Sequence, residues 1–214
     1  MKVSKFVKNT IRSIFLALGV IWYTQSAAMA GNTIVVWGDS LSSAYNIPVE
    51  SGWVSLLQDR VENRDIKVVN GSIPGETSQG GAQRIDRALQ DYSPQILILA
   101  LGSNDGLQGK DPAELENNLA YMIEAAQTAG ARVLLLGMQV PPNYGQTYSS
   151  RFGSVYSGLA GRYDVGFVPL FLEPIALEFD YFQADGLHPT DTAQVILLDH
   201  IWPELESLLK TADS

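Results

Sequence analysis

The strand-like runs Ile96-Leu97-Ile98-Leu99-Ala100-Leu101 and Val133-Leu134-Leu135-Leu136-Gly137-Met138 carry no polar side chain. A strand that alternates can leave one face in water. A strand that does not alternate must be covered on both, which is the condition of a parallel sheet between helical layers. Three further strand-like runs lie at 34–37, 66–69 and 166–168. Helical patterns at 52–61, 77–89, 111–130, 148–159 and 192–209 separate them. Asp111-Pro112-Ala113-Glu114 reads as a helix start, with an acid as cap and proline in the first turn. Leu115, Leu119, Met122, Ile123 and Ala126 follow at helical spacing, and Gly130 closes the pattern. In the last helix Val195, Leu198, Trp202, Leu205 and Leu209 form the expected buried face. Strand–helix alternation with right-handed crossovers predicts an α/β chain. The expected form is a three-layer α/β/α sandwich around a central, mainly parallel five-stranded sheet.

The first thirty residues read differently. Lys2, Lys5, Lys8 and Arg12 make a basic start, and 14–22 is an apolar stretch too short to span a bilayer. Ala28-Met29-Ala30 is an A-x-A cleavage pattern. Residues 1–30 are therefore expected to be a cleaved signal peptide and 31–214 a single domain, exported to the periplasm or beyond. Cleavage removes four of the 14 basic residues and leaves ten against 23 acids. Such a surface repels phosphate backbones, so nucleic acid is not an expected partner. The chain has no cysteine, which excludes a lipid anchor on cysteine, a disulfide framework and a thiol nucleophile. Only His188 and His200 are available as bases, and no set of histidines can build a metal site. Neither metal nor cofactor is expected.

Chemistry concentrates where strands end. Gly38-Asp39-Ser40-Leu41 follows the first apolar run and presents a hydroxyl at the carboxyl edge of the sheet, where open α/β sheets place their sites. Asp185-Gly186-Leu187-His188-Pro189 lies near the other end of the chain. A serine hydroxyl is a poor nucleophile until a base stands beside it. Imidazole suits that task near neutral pH. Asp185, three residues before His188, can reach one ring nitrogen within a single turn and leave the other for Ser40. His200 falls on the polar side of the last helix and reads as a surface residue. Gly75, within Ser72-Ile73-Pro74-Gly75-Glu76-Thr77-Ser78, and Gly102-Ser103-Asn104-Asp105 supply two further blocks. Each segment alone is ordinary turn chemistry; all four in register with an α/β alternation are not. Asp39 and Asp105 read as structural acids that tie loops together.

In these four blocks the chain resembles the SGNH, or GDSL-type, serine hydrolases. Leu101-Gly102-Ser103-Asn104-Asp105-Gly106-Leu107 and Met138-Gln139-Val140-Pro141-Pro142-Asn143-Tyr144-Gly145 narrow the likeness to the bacterial periplasmic thioesterase I, lysophospholipase and arylesterase group. The resemblance implies the flavodoxin-like fold of that family. It also implies a triad of Ser40, Asp185 and His188, and an oxyanion hole made by the N–H groups of Ser40 and Gly75 and the side-chain amide of Asn104. Gln108 stands where relatives often carry arginine, which removes one charged substrate contact.

The substrate class implied is a fatty acyl ester or thioester, hydrolysed by a monomer through an acyl-serine intermediate. Leu107, Pro142 and Tyr144 are the expected wall of the acyl groove. Trp53, Phe179, Tyr181 and Phe182 are further apolar candidates, and Tyr148, Phe152 and Tyr156 either wall the groove or pack the core. Two alternatives share the blocks: an esterase of acetylated carbohydrate, and a non-catalytic binding protein.

Overall fold

A computed structural model of the protein describes residues 31–210. The expected signal peptide lies outside the described residues. Five strands form one parallel sheet: β1 (Gly31–Gly38), β2 (Lys67–Asn70), β3 (Pro94–Ala100), β4 (Arg132–Leu136) and β5 (Gly166–Val168). Their order is β2-β1-β3-β4-β5. Helices α1 (Trp53–Arg60) and α6 (Asp191–Lys210) pack against each other. Helices α2 (Ser78–Tyr92), α4 (Pro112–Thr128) and α5 (Gln146–Tyr163) form a second row. This is the expected three-layer sandwich. Between its layers Ile96, Leu97, Ile98, Leu99 and Leu101 are wholly buried, as a strand covered on both faces requires.

The strand order decides where a site can form. The chain leaves β1 outward to β2, then returns across β1 to β3. At that reversal the connections leave the carboxyl ends of β1 and β3 in opposite directions and open a crevice. Gly38 and Ala100, the last residues of β1 and β3, are partners in register. The segments after them therefore start side by side, one holding Ser40 and the other Asn104.

Three local features differ from expectation. Helix α5 begins at Gln146 and ends at Tyr163, beyond the 148–159 pattern. A short helix, α3 (Ser103–Leu107), occupies a stretch whose Asn-Asp-Gly reads as a turn. The buried face of α6 is Ala193, Gln194, Leu197, Leu198, Ile201, Leu205 and Leu209, while Val195 is 46% exposed. Leu198, Leu205 and Leu209 are buried as expected, and packing against α1, β4 and β5 adds Leu197 and Ile201 to that face.

Candidate active site

β1 runs straight into the serine turn. The Asp39 carboxylate folds back to accept the Leu41 N–H at 3.0 Å, and the Ser42 N–H closes the turn on the Asp39 carbonyl at 3.2 Å. From outside, the Trp53 indole N–H donates to the Leu41 carbonyl at 3.2 Å. Ser40 is thus held between two buried neighbours and remains half-exposed itself.

The second half of the site is a loop wound around Asp185. Its Oδ1 accepts the N–H groups of Leu187 and His188, at 2.9 and 3.0 Å. Its Oδ2 lies 2.7 Å from His188 Nδ1. The other ring nitrogen, His188 Nε2, lies 2.9 Å from Ser40 Oγ. With the Nδ1–H donated to the carboxylate, Nε2 is left to accept the serine proton. The backbone N–H of His188, then its side chain, then the N–H of Leu187 hold the Asp185 carboxyl down at about 2, so it stays ionised through the neutral range. Gly186, at φ +67°, makes the tight bend possible. The Gln183 N–H donates to the His188 carbonyl at 2.8 Å and fixes the loop base. Tyr45 lies over the imidazole with ring centroids 4.4 Å apart, a neighbour that no motif announces.

Asn104, the second residue of α3, lines the same cleft as this pair. Its Nδ2 donates to the Glu76 carbonyl at 2.9 Å and toward Asp39 Oδ2 at 3.3 Å. Gly102 delivers the chain to this point at φ +121°, and a Cβ there would lie 2.0 Å from the Tyr156 hydroxyl. Only glycine fits. Asp105, buried, accepts both the N–H and the hydroxyl of Ser78 at 2.7 Å. Asp39 and Asp105 therefore tie loops together, as read from the sequence. Gly75 is the third residue of a turn closed by Glu76 N–H on the Ile73 carbonyl at 3.1 Å. Its φ of +78° and Pro74 before it make this a type II turn. The Ile73 N–H donates to the Gly38 carbonyl at 3.0 Å, which docks that turn on the end of β1.

Ser40, Asn104 and His188 open together into a cleft of about 550 Å³. Its lining is mostly apolar, with Leu107, Met138, Val140, Leu172, Leu177 and Phe182 beside the polar Ser103 and Gln139. Of the three residues expected to wall the groove, Leu107 lines it. Tyr144 does not; its hydroxyl donates to the Leu107 carbonyl at 2.7 Å and braces that residue from behind. Pro142 opens a short turn, Pro142–Tyr144. Trp53, Phe152 and Tyr156 belong to the core, and Phe179 points outward, 91% exposed. The wall from Leu170 to Leu177 had no signal, because that segment has short turns and no period. His200 is half-buried and not a plain surface residue: its Nε2 lies 3.0 Å from the Leu170 carbonyl and joins α6 to that wall. Among the described residues no group of three or more His, Asp or Glu is placed to hold a metal ion.

Residues 36–196 match the model of the GDSL-like Lipase/Acylhydrolase family. Esterase TesA of Pseudomonas aeruginosa is 44% identical over 203 residues, covering 93% of this chain and all of that protein. The Escherichia coli protein named thioesterase 1/protease 1/lysophospholipase L1 is 36% identical, covering 85% of this chain and 87% of its own. Among solved structures, the psychrotrophic esterase EstA from Pseudoalteromonas sp., inhibited by monoethylphosphonate, superposes with a TM-score of 0.79. It is 37% identical and covers 84% of this chain and 99% of that one.

Proposed function

The chain belongs to the GDSL-like lipase/acylhydrolase family, and from that premise we propose that it is a serine hydrolase of fatty acyl esters and thioesters. One observation carries the reading. A serine hydroxyl 2.9 Å from an imidazole, itself anchored to a carboxylate, opens into an apolar cleft. In the acylation step Ser40 Oγ attacks the acyl carbonyl while His188 Nε2 takes its proton. Asp185 keeps the ring oriented and stabilises the imidazolium that forms. The oxyanion is received by the N–H groups of Ser40 and Gly75 and by Asn104 Nδ2. His188 then returns the proton to the departing alcohol or thiol. In the second half a water attacks the acyl-serine with His188 again as base, and the free acid leaves.

The walls favour an acyl chain over a sugar. Leu107, Met138, Val140, Leu172, Leu177 and Phe182 offer methylene contact, and few side chains in the cleft could answer a ring of hydroxyls. A carbohydrate esterase on the same catalytic groups would need such partners. A panel of short and long nitrophenyl esters, acyl-CoA, lysophospholipid and acetylated xylan, offered to purified protein, separates the readings. Hydrolysis of the acyl esters and thioester with none of the xylan is expected. Turnover of xylan alone would transfer the protein to the second class, and turnover of nothing would leave a binding protein.

We propose the following of the mature protein as well. It is a monomer that starts at Gly31, is exported to the periplasm or beyond, and has no nucleic-acid partner. No helix among the described residues is long and apolar enough to cross a membrane. Amino-terminal sequencing of the protein from an osmotic-shock fraction checks the export, and light scattering checks the monomer.

A further inference from the structure

Asp39 is wholly buried, next to the nucleophile, and has no place in the triad, since Asp185 already holds His188. Its two carboxylate oxygens have different duties. Oδ1 takes the Leu41 N–H at 3.0 Å and shapes the turn around Ser40. Oδ2 faces Asn104 Nδ2 at 3.3 Å, across 65 residues of sequence. A primary amide has two hydrogens to give. One of those on Asn104 is committed to the Glu76 main-chain carbonyl at 2.9 Å. The other is aimed at Asp39 over a distance just beyond the usual N–H···O range, where the bond is weak.

We propose that Asp39 is a positioning residue for the oxyanion donor. It holds the second hydrogen of Asn104 on its Oδ2 in the resting enzyme and yields it to the oxyanion of the acyl-transfer step. The inference rests on the acyl-transfer reading of Ser40 and Asn104. Two features of the geometry support it. The strong bond to Glu76 fixes where the amide sits, so only its rotation about that bond is left to control. The weak bond controls that rotation and is easily exchanged for a better acceptor, the alkoxide of the tetrahedral intermediate. The site also carries a cost that the turn alone does not explain. Burial raises the Asp39 carboxyl to about 7, against the lowering effect of the Leu41 N–H and of His188. Serine or asparagine would accept the Leu41 N–H without that cost.

The test uses Asp39→Asn, Asn104→Ala and the double variant, with a short nitrophenyl ester. Asparagine at 39 can still accept the Leu41 N–H, but it turns a donor toward the Asn104 donor. We expect kcat to fall tenfold or more with KM within twofold of wild type. The double variant should match Asn104→Ala within twofold, because the first residue acts only through the second. A wild-type kcat in Asp39→Asn, an effect on KM alone, or losses that multiply in the double variant would overturn the inference. Covalent labelling of wild type and Ser40→Ala with an organophosphonate tests the underlying acyl-transfer reading separately. If Asp39→Asn does not fold, the side-chain amide of Asn104 is followed by NMR in His188→Ala, assigned by its loss in Asn104→Ala. The ionisable groups around Asp39 are then Asp105 and Tyr156. The amide signal should shift with pH around the Asp39 ionisation. A flat signal overturns the inference as well.

Discussion

The main-chain N–H of Trp53 donates to the side-chain oxygen of Gln194 at 3.1 Å, joining the first turn of α1 to α6 in the core. Each partner then reaches one half of the catalytic pair. The Trp53 indole holds the Leu41 carbonyl, one residue after Ser40, and Gln194 Nε2 donates to the Thr190 carbonyl at 3.1 Å, two residues after His188. A buried amide thus sets the serine turn and the histidine loop against each other.

Gln194→Leu tests that bracket. Leucine keeps the volume and loses both bonds, leaving the Trp53 N–H buried without a partner. Such a group costs about 1–3 kcal/mol. The melting temperature should fall by several degrees, and kcat/KM should fall further than stability explains, because the Ser40–His188 distance is no longer fixed from both sides. Circular dichroism with kinetics below the transition checks this. A variant with normal turnover and a lowered melting point would make the bracket purely structural.

The two histidines should separate cleanly. His188→Ala removes the base and should lower kcat by about three orders of magnitude or more. His200→Ala removes a single bond to the Leu170 carbonyl, at a cost of about 0.5–1.5 kcal/mol in stability. Its turnover should stay within a few fold. Steady-state kinetics and thermal melts on both variants check the pair, and an essential His200 would dismantle the triad.

Much of this site was legible because its parts are local. The Asp185–His188 spacing is a single turn, and two main-chain N–H groups lock it there. The apolar runs of β3 and β4 identified a doubly covered sheet, and the sheet order then sets Ser40 beside Asn104. What could not be read is non-local. The Asp39–Asn104 contact depends on the register of two strands, and the Tyr45 ring meets His188 only because the two loops fold together. The 170–177 wall has neither strand nor helix period, so it left no trace. The buried face of α6 was misplaced only at its edge, at Val195, because α6 packs against α1, β4 and β5 and its period alone does not say how far around the helix those contacts reach.

Asp39 makes stability depend on pH. Its carboxyl is raised from 3.8 to about 7 in the fold, so the folded state holds this proton more tightly than the unfolded chain. That contribution is complete below about 4 and is lost as pH rises through about 7. At roughly 1.4 kcal/mol per pH unit the ceiling is about 4 kcal/mol, reduced by the donor–donor contact that asparagine introduces. Relative to wild type, Asp39→Asn should therefore gain stability between about pH 4 and 7 and hold the gain above. Urea melts at pH 4.5 and 8 check the sign. A difference that is the same at both values would show that Asp39 does not ionise differently on folding.

Leu107 is 38% exposed and lines the cleft next to Asn104. Its segment carries Gly106 and Gly109, which suggests mobility, yet it is stapled at both ends. The Tyr144 hydroxyl holds the Leu107 carbonyl at 2.7 Å and the Tyr148 hydroxyl holds the Lys110 carbonyl at 2.8 Å. A braced leucine presents a fixed apolar surface, so each methylene that reaches it should gain up to about 0.8 kcal/mol, or roughly fourfold in kcat/KM. Along a series of saturated acyl esters kcat/KM should rise to a medium chain and then level off when the cleft is filled. Leu107→Ala should flatten the rise and spare the shortest ester. Tyr144→Phe keeps the ring but frees the Leu107 carbonyl, and it should flatten the series partway. A wild-type series that is already flat, or a Leu107→Ala enzyme that loses every chain length equally, would show that this wall does not read the acyl chain.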